Sequence, residues 1–375
     1  MSEGRCRHRG GYAELKKSQS DRLSPLDIPV DDLERCHEIL GISAWQMLAG
    51  QSIFISGGTG FIGKWLLATL LDANETFGLN CRITVLSRDP ATFQCAWPGL
   101  AGRINWIAGD VRDFPISAQH FDVMVHAATD VVSQASPYDV LSTSIDGTRR
   151  MLAMARQCGA SRFLLVSSGA VYGPLPAGMT KVPETYLGGP DPLLASSAYG
   201  EGKRVAEWLS AQASTDGLEV KIARVFALVG PHLPLDKHFA IGNFLGAAMA
   251  GEHIVIKGDG TPYRSYLYAA DMAAWLWAVL IKGQPGRAYN VGSEETLSIK
   301  ALAEKICSVL ERTLPIDVHQ LASPDVVVSH YAPDTARSLR ELNLPASMVL
   351  DNAILRTAGW HARGCWLEAG RHCCC

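Results

Sequence analysis

Ile53-Phe54-Ile55, followed by Gly57-Gly58-Thr59-Gly60-Phe61-Ile62-Gly63, is the stretch that decides the fold. The apolar triplet reads as a buried strand and Phe61–Leu71 as the helix it feeds, so the glycines occupy the turn between them. Glycine permits that tight turn, lets backbone N–H groups approach a pyrophosphate, and lets the helix pack close to the strand. The helix N-terminus then favours the phosphate charge. Gly57, Thr59, Gly60, Phe61, Ile62 and Gly63 are therefore expected to hold a dinucleotide.

Outward from this loop, strand-like runs at Ile83–Leu86, Ile104–Ala108, Val123–His126, Phe163–Val166 and Val220–Arg224 alternate with helical stretches such as Leu141–Arg156 and Tyr199–Ala213. Such alternation predicts an α/β fold, a Rossmann-like doubly wound parallel sheet covered on both faces. Beyond it the pattern shortens, and Gly230-Pro231, Leu233-Pro234 and Gly258–Pro262 mark loops. The expected organisation is a disordered N-terminal extension with a short helix (residues 1–45), an NAD(P)-binding domain (46–230), a mainly substrate-binding region (231–362) and a disordered Cys-rich tail (363–375).

With 34 Lys and Arg against 37 Asp and Glu, the 375-residue chain has a net charge of −3 and no basic stripe for nucleic acid. Its first forty residues lack the apolar core of a secretory signal, and Met272–Ile281 is too short to span a bilayer. No membrane association and a cytoplasmic location are the expectation. Of ten cysteines, Cys6, Cys36, Cys81, Cys95, Cys158 and Cys307 are isolated. Cys365 and Cys373–Cys375 lie near His361 and His372, but adjacent cysteines ligate one tetrahedral ion poorly, and no metal site is expected.

Arg88 follows the second strand, where an NAD enzyme would place a carboxylate for the ribose; an arginine there can pair with a 2′-phosphate, which tilts the cofactor from NAD toward NADP. Asp110 and Val111 follow the third strand, within reach of the adenine, and Ala127-Ala128 end the fourth with small residues beside the cofactor. Tyr199 and Lys203, four apart on a helix, share one face. The spacing recurs at Tyr12 and Lys16, but only the Tyr199 pair follows a strand ending in Ser167-Ser168. A tyrosine starts near pKa 10, so it needs the charges of Lys203 and an oxidised nicotinamide to act as a base, with Ser168 holding the substrate hydroxyl.

With GGTGFIG, GDVRD, HAAT, SSGAVYG, YGEGK, GDGTPYRSYLYAADMA and YNVGS over roughly residues 50–300, the chain resembles the extended short-chain dehydrogenase/reductases of the NAD-dependent epimerase/dehydratase family, which modify nucleotide sugars. The resemblance implies that Ser168, Tyr199 and Lys203 are the catalytic set, that Lys203 also holds the nicotinamide ribose, and that Arg264 clamps the nucleotide diphosphate of the substrate. It further implies a homodimer paired through the helices at Leu141–Arg156 and Tyr199–Ala213.

Departures from the family pattern bear on the reaction. The 4,6-dehydratases carry Asp-Glu directly after the catalytic hydroxyl residue and the sugar decarboxylases keep the Glu, whereas this chain has Gly169-Ala170. Ala227 and Ser144 stand where relatives place asparagines. The expected activity is hydride transfer at C4 of a nucleotide-bound hexose, as an epimerase or a 4-keto-sugar reductase. The alternatives are a dTDP-glucose-type 4,6-dehydratase or a non-catalytic NAD(P)-sensing regulator.

Overall fold

The computed structural model describes residues 23–116, 119–129, 135–214, 217–237, 239–323 and 327–371, with side chains to residue 363. Helices α1 (Val30–Leu40) and α2 (Ile42–Gln46) precede β1 (Ser52–Ser56), α3 (Phe61–Thr76), β2 (Arg82–Ser87), α4 (Pro90–Ala96), β3 (Asn105–Ala108) and β4 (Val123–His126). Then come α5 (Pro137–Gln157), β5 (Arg162–Ser168), α6 (Ala198–Ser214), β6 (Glu219–Val225), β7 (Leu228–Val229), α7 (Ala240–Ala250), β8 (Ile254–Ile256) and β9 (Tyr263–Ser265). The chain continues through β10 (Leu267–Tyr268), α8 (Ala269–Lys282), β11 (Arg287–Val291), β12 (Thr296–Ser298), α9 (Ile299–Val309), β13 (Ile316–Val318), β14 (His330–Tyr331), α10 (Ala336–Leu342) and α11 (Leu350–Arg371).

Seven strands form the central sheet in the order β11-β6-β5-β4-β1-β2-β3, and every pairing in it is parallel. All five residues of β1 are buried, as expected for a strand covered on both faces. The strand order reverses between β1 and β4, and the crevice beyond the carboxyl ends of these two strands is where an open α/β sheet binds its ligand. Ser56 and His126 end β1 and β4 side by side, joined by a 2.8 Å bond between Ser56 Oγ and His126 Nδ1. Burial lowers the pKa of His126 to about 3, with the charge of Lys203 adding to the effect, so the ring is a neutral strut beneath the crevice.

Two expectations about the ends of the chain change. Residues 23–45 are not an extension: Leu26, Ile28, Leu33, Cys36 and Trp45 are wholly buried in the main core. Helix α1 packs on α8, where Arg35 donates to Asp271 (2.6 Å), and its Asp32 accepts from Tyr268 Oη of β10 (2.6 Å) and from Arg356 of α11 (2.7 Å). The remainder of the expected extension, residues 1–22, lies outside the described residues. At the other end α11 continues as helix to Arg371, into the stretch expected to lack structure. The sheet also crosses the expected boundary at residue 230, because β11 completes it and α8, buried along its whole apolar length, packs beneath it. No helix among the described residues is long and apolar enough to cross a membrane.

Candidate active site

A cavity of about 960 Å³ opens at the switch point, lined by the glycine loop, the ends of β2 to β6, the start of α6, and residues of the C-terminal region including Arg264 and Tyr331. The loop fits a dinucleotide phosphate on two grounds. Gly60 is the N-cap of α3, so no side chain caps the helix's first N–H groups, and Phe61 and Ile62 line the cavity. The backbone also approaches too closely for side chains: a Cβ at Gly57 (φ +74°) would fall 2.5 Å from the Ala128 nitrogen, and one at Gly63 would fall 2.1 Å from the Gly57 oxygen. Gly63 therefore acts by packing and does not itself line the cavity.

Gly57, Thr59, Gly60, Arg88, Asp110, Val111, Ala127 and Ala128 all line this cavity. Arg88 is exposed at its rim, and the neighbouring Asp89 is taken up capping α4, where it accepts from the Thr92 nitrogen (3.0 Å). Asp110 is held by Arg112, which donates through Nε (2.8 Å) and Nη2 (3.0 Å). That bonding, with the charges of Arg112 and Arg88, keeps the Asp110 carboxyl below its ordinary range.

At the inner end stand Ser168, Tyr199 and Lys203, brought together by β5 and the first turns of α6. Ser168 Oγ accepts from the Ala170 nitrogen (3.1 Å). Burial pushes the Tyr199 phenol up to about 12, with the Ser168 hydroxyl pulling toward the phenolate. Lys203 is buried; its Nζ donates to the Val166 carbonyl (2.9 Å) and lies 5.9 Å from the centre of the Tyr199 ring. Burial lowers its pKa to about 8 against the attraction of Glu207.

Three residues that sequence reasoning missed complete the site. Glu207, one turn beyond Lys203, accepts from Ser167 Oγ (2.6 Å) and from Arg224 Nη2 (2.7 Å) and Nε (3.0 Å). Its signal was available, since Tyr199, Lys203 and Glu207 follow one another at four-residue intervals on a single helix face. Tyr331, from the two-residue strand β14, brings its phenol within 3.4 Å of Ser168 Oγ. Its ring packs on Phe226 (4.8 Å between centres) and lies beneath the Arg264 guanidinium (5.8 Å). Phe226 in turn fills the space above Gly169, where a Cβ would fall 2.6 Å from the ring.

The structure therefore brings Ser168, Tyr199, Lys203 and Arg264 to one cavity with the glycine loop. Burial lowers the pKa of Arg264, and its Nη1 donates to the neighbouring Tyr263 carbonyl (2.8 Å). Ser144, in contrast, is buried against Gly202 and donates to its own helix at the Val140 carbonyl (3.1 Å). Ala227 lines the cavity.

Residues 53–292 match the model of the NAD dependent epimerase/dehydratase family. UDP-glucuronic acid decarboxylase 5 of Arabidopsis thaliana is 32% identical over 269 residues, covering 70% of this chain and 76% of that protein. UDP-N-acetylglucosamine 4-epimerase from Methanobrevibacter ruminantium, solved with UDP-N-acetylmuramic acid, superposes with a TM-score of 0.72 at 21% identity, covering 84% of this chain and 99% of that one. dTDP-glucose 4,6-dehydratase from Bacillus anthracis, solved with NAD, gives a TM-score of 0.68 at 19% identity, covering 84% and 97%.

Proposed function

The chain belongs to the NAD dependent epimerase/dehydratase family, and from that premise we propose that it transfers hydride at C4 of a nucleotide-bound hexose, as a C4 epimerase or a 4-keto-sugar reductase. When bound, the nicotinamide cofactor supplies the hydride acceptor and donor. Tyr199 exchanges the proton of the C4 oxygen, and Lys203 stabilises its phenolate. Ser168 holds the C4 oxygen by a hydrogen bond. Arg264, a cation with no carboxylate partner among the described residues, pairs with the substrate diphosphate.

One observation carries the choice of reaction. The carboxylates among the described residues lining the cavity are Asp110 and Asp139, and both belong to Arg112, at 2.8 and 3.9 Å. Loss of water across C5–C6 requires a base for the C5 proton and an acid for the C6 hydroxyl. At the catalytic end the corresponding positions are Gly169 and Ala170, with the Phe226 ring seated where a residue-169 side chain would begin. Redox chemistry at C4 needs no such pair.

The similarity to UDP-glucuronic acid decarboxylases favours a second reading. Oxidation at C4 places a C6 carboxylate β to a ketone, from which carbon dioxide is lost readily. A panel of UDP-, dTDP-, GDP- and CDP-hexoses, their 4-keto forms and UDP-glucuronic acid, with products read by mass and NMR, tests both. C4 inversion or 4-keto reduction supports the proposal, and pentose formation from UDP-glucuronic acid supports the second reading.

For the cofactor, Arg88 at the cavity rim, without a free carboxylate beside it, supports acceptance of the 2′-phosphate of NADP. For assembly, α5 and α6 pack together and leave Tyr138 and Trp208 exposed, which supports pairing of two copies through these helices.

A further inference from the structure

The lysines and arginines among the described residues lining the cavity are Lys64, Arg88, Arg112, Lys203 and Arg264. Arg112 is paired with Asp110 and Asp139, Lys203 stands beside Tyr199, and Arg88 and Arg264 have the roles proposed above. Lys64 is left over. Its backbone N–H donates to the Gly60 carbonyl (2.9 Å), so it stands one turn into α3 from the glycine loop. Helical side chains lean back toward the N-terminus, which carries the Lys64 stem toward the loop amides.

The surroundings of this ammonium leave its charge open. Nζ lies 5.3 Å from the centre of the Trp97 ring, a π face that orients a cation without neutralising it. Asp27 attracts Lys64 without forming an ion pair with it, and burial pulls the lysine pKa down. The nearby His232 ring is neutral: Nε2 donates to the Leu26 carbonyl (2.7 Å), and burial together with the Lys64 charge lowers its pKa to about 3. His232 has a left-handed backbone (φ +70°), a conformation that a residue other than glycine keeps only where its surroundings enforce it. Here Trp97 and Trp360 hold the ring, at 5.5 and 4.5 Å between centres. The wall around the ammonium is therefore fixed, and it is built of rings rather than acids. A half-buried charge so placed costs free energy until an anion meets it.

We propose that Lys64 is a phosphate-holding residue of the cofactor site, its ammonium meeting a phosphoryl group of the nicotinamide dinucleotide beside the glycine loop. Trp97 follows α4, and α4 follows Arg88, so the ammonium stands on the β2 side of the loop, where the adenosine half of a dinucleotide lies. Two phosphoryl sources belong to that side: the pyrophosphate and, in NADP, the 2′-phosphate. The inference rests on the glycine loop holding the cofactor and is independent of the reaction at C4.

The test is a binding measurement and needs no sugar substrate. NADH and NADPH are titrated by nicotinamide fluorescence, at low and high salt, against the full chain as wild type, Lys64→Met and Lys64→Arg. Methionine keeps an unbranched stem on Trp97 and removes the charge; arginine restores the charge. Lys64→Met is expected to weaken binding about tenfold or more, the worth of one charge-assisted hydrogen bond, and to flatten its salt dependence. Lys64→Arg is expected to recover most of the loss. An equal loss for both cofactors assigns the pyrophosphate, and a loss confined to NADPH assigns the 2′-phosphate. Unchanged affinity for both cofactors in Lys64→Met overturns the proposal. So does an equal loss in Lys64→Arg, which would trace the effect to packing on Trp97. A wild type that binds neither cofactor refutes the cofactor site itself, whereas a protein that binds cofactor but is inert on every nucleotide sugar refutes only the proposed reaction and leaves this titration readable.

Discussion

Glu207→Gln removes a charge from behind Lys203 while nearly preserving shape. In the native protein this carboxylate accepts from Ser167 Oγ at 2.6 Å and from two nitrogens of Arg224, the shorter at 2.7 Å. It also opposes the burial that lowers the pKa of Lys203 to about 8. Side chains four apart on a helix are about 6 Å apart, and at an effective dielectric of about 20 that corresponds to roughly 2–3 kcal/mol. Arg224 already offsets part of this charge, leaving about 1.4 kcal/mol, or about one pH unit, as the fall in the Lys203 pKa. Breaking a buried pair costs about 3–5 kcal/mol when its partner is stranded. Here Arg224 retains Tyr172 Oη (2.9 Å) and the Glu184 carbonyl (3.3 Å), so the lower end is expected. Fluorescence titration with NADH across pH reads the lysine without a substrate. On the proposal that protonated Lys203 donates to the nicotinamide ribose, wild-type affinity should fall as pH rises through about 8, by about ten- to a hundredfold for the loss of one charged hydrogen bond. The variant should show the same fall about one pH unit lower. A midpoint unmoved by Glu207→Gln would refute the electrostatic role of this carboxylate.

Three further outcomes are expected. Tyr199→Phe should retain NADH binding and lose about a hundredfold or more in turnover on the substrate the panel identifies; near-normal turnover would contradict its acid–base role. Arg88→Ser should weaken NADP about tenfold or more and leave NAD binding nearly unchanged, as measured by calorimetry; equal losses for both would remove the 2′-phosphate from the account. Light scattering should return twice the 40.5 kDa chain mass, and Trp208→Glu should reduce it to one chain; a wild-type monomer at working concentration would refute the dimer.

The parallel sheet and the glycine loop at its switch point were legible because their determinants are local. A strand, three glycines and a helix start are contiguous, and β1, β4 and β5 announce themselves as short apolar runs. The placement of Tyr199 and Lys203 followed from helical spacing. What escaped notice depends on partners distant in sequence. Trp45 becomes core only when Trp277 of α8, more than 200 residues later, packs against it, and the charges on α1 disguise a helix whose Asp32 is paired with Arg356. Tyr331 lies in a two-residue strand whose register is set by β9, and its approach to Ser168 spans 163 residues. Phe226 above Gly169 is likewise a tertiary fact, although the glycine itself signalled that a carboxylate was missing. Cysteines 36, 81, 158 and 307, isolated in the sequence, are free and buried in the structure.

The reaction proposed for this site is hydride transfer at C4 without elimination of water. Purified enzyme with NAD(P) and the panel of nucleotide hexoses and their 4-keto forms, followed by proton NMR at C4, C5 and C6, tests it most directly. The expected product keeps its C6 hydroxyl and its C5 proton, with C4 inverted or a 4-ketone reduced. Rapid conversion of dTDP-glucose to a 4-keto-6-deoxy sugar would contradict it, because that reaction requires the acid–base pair that Gly169 and Ala170 do not supply.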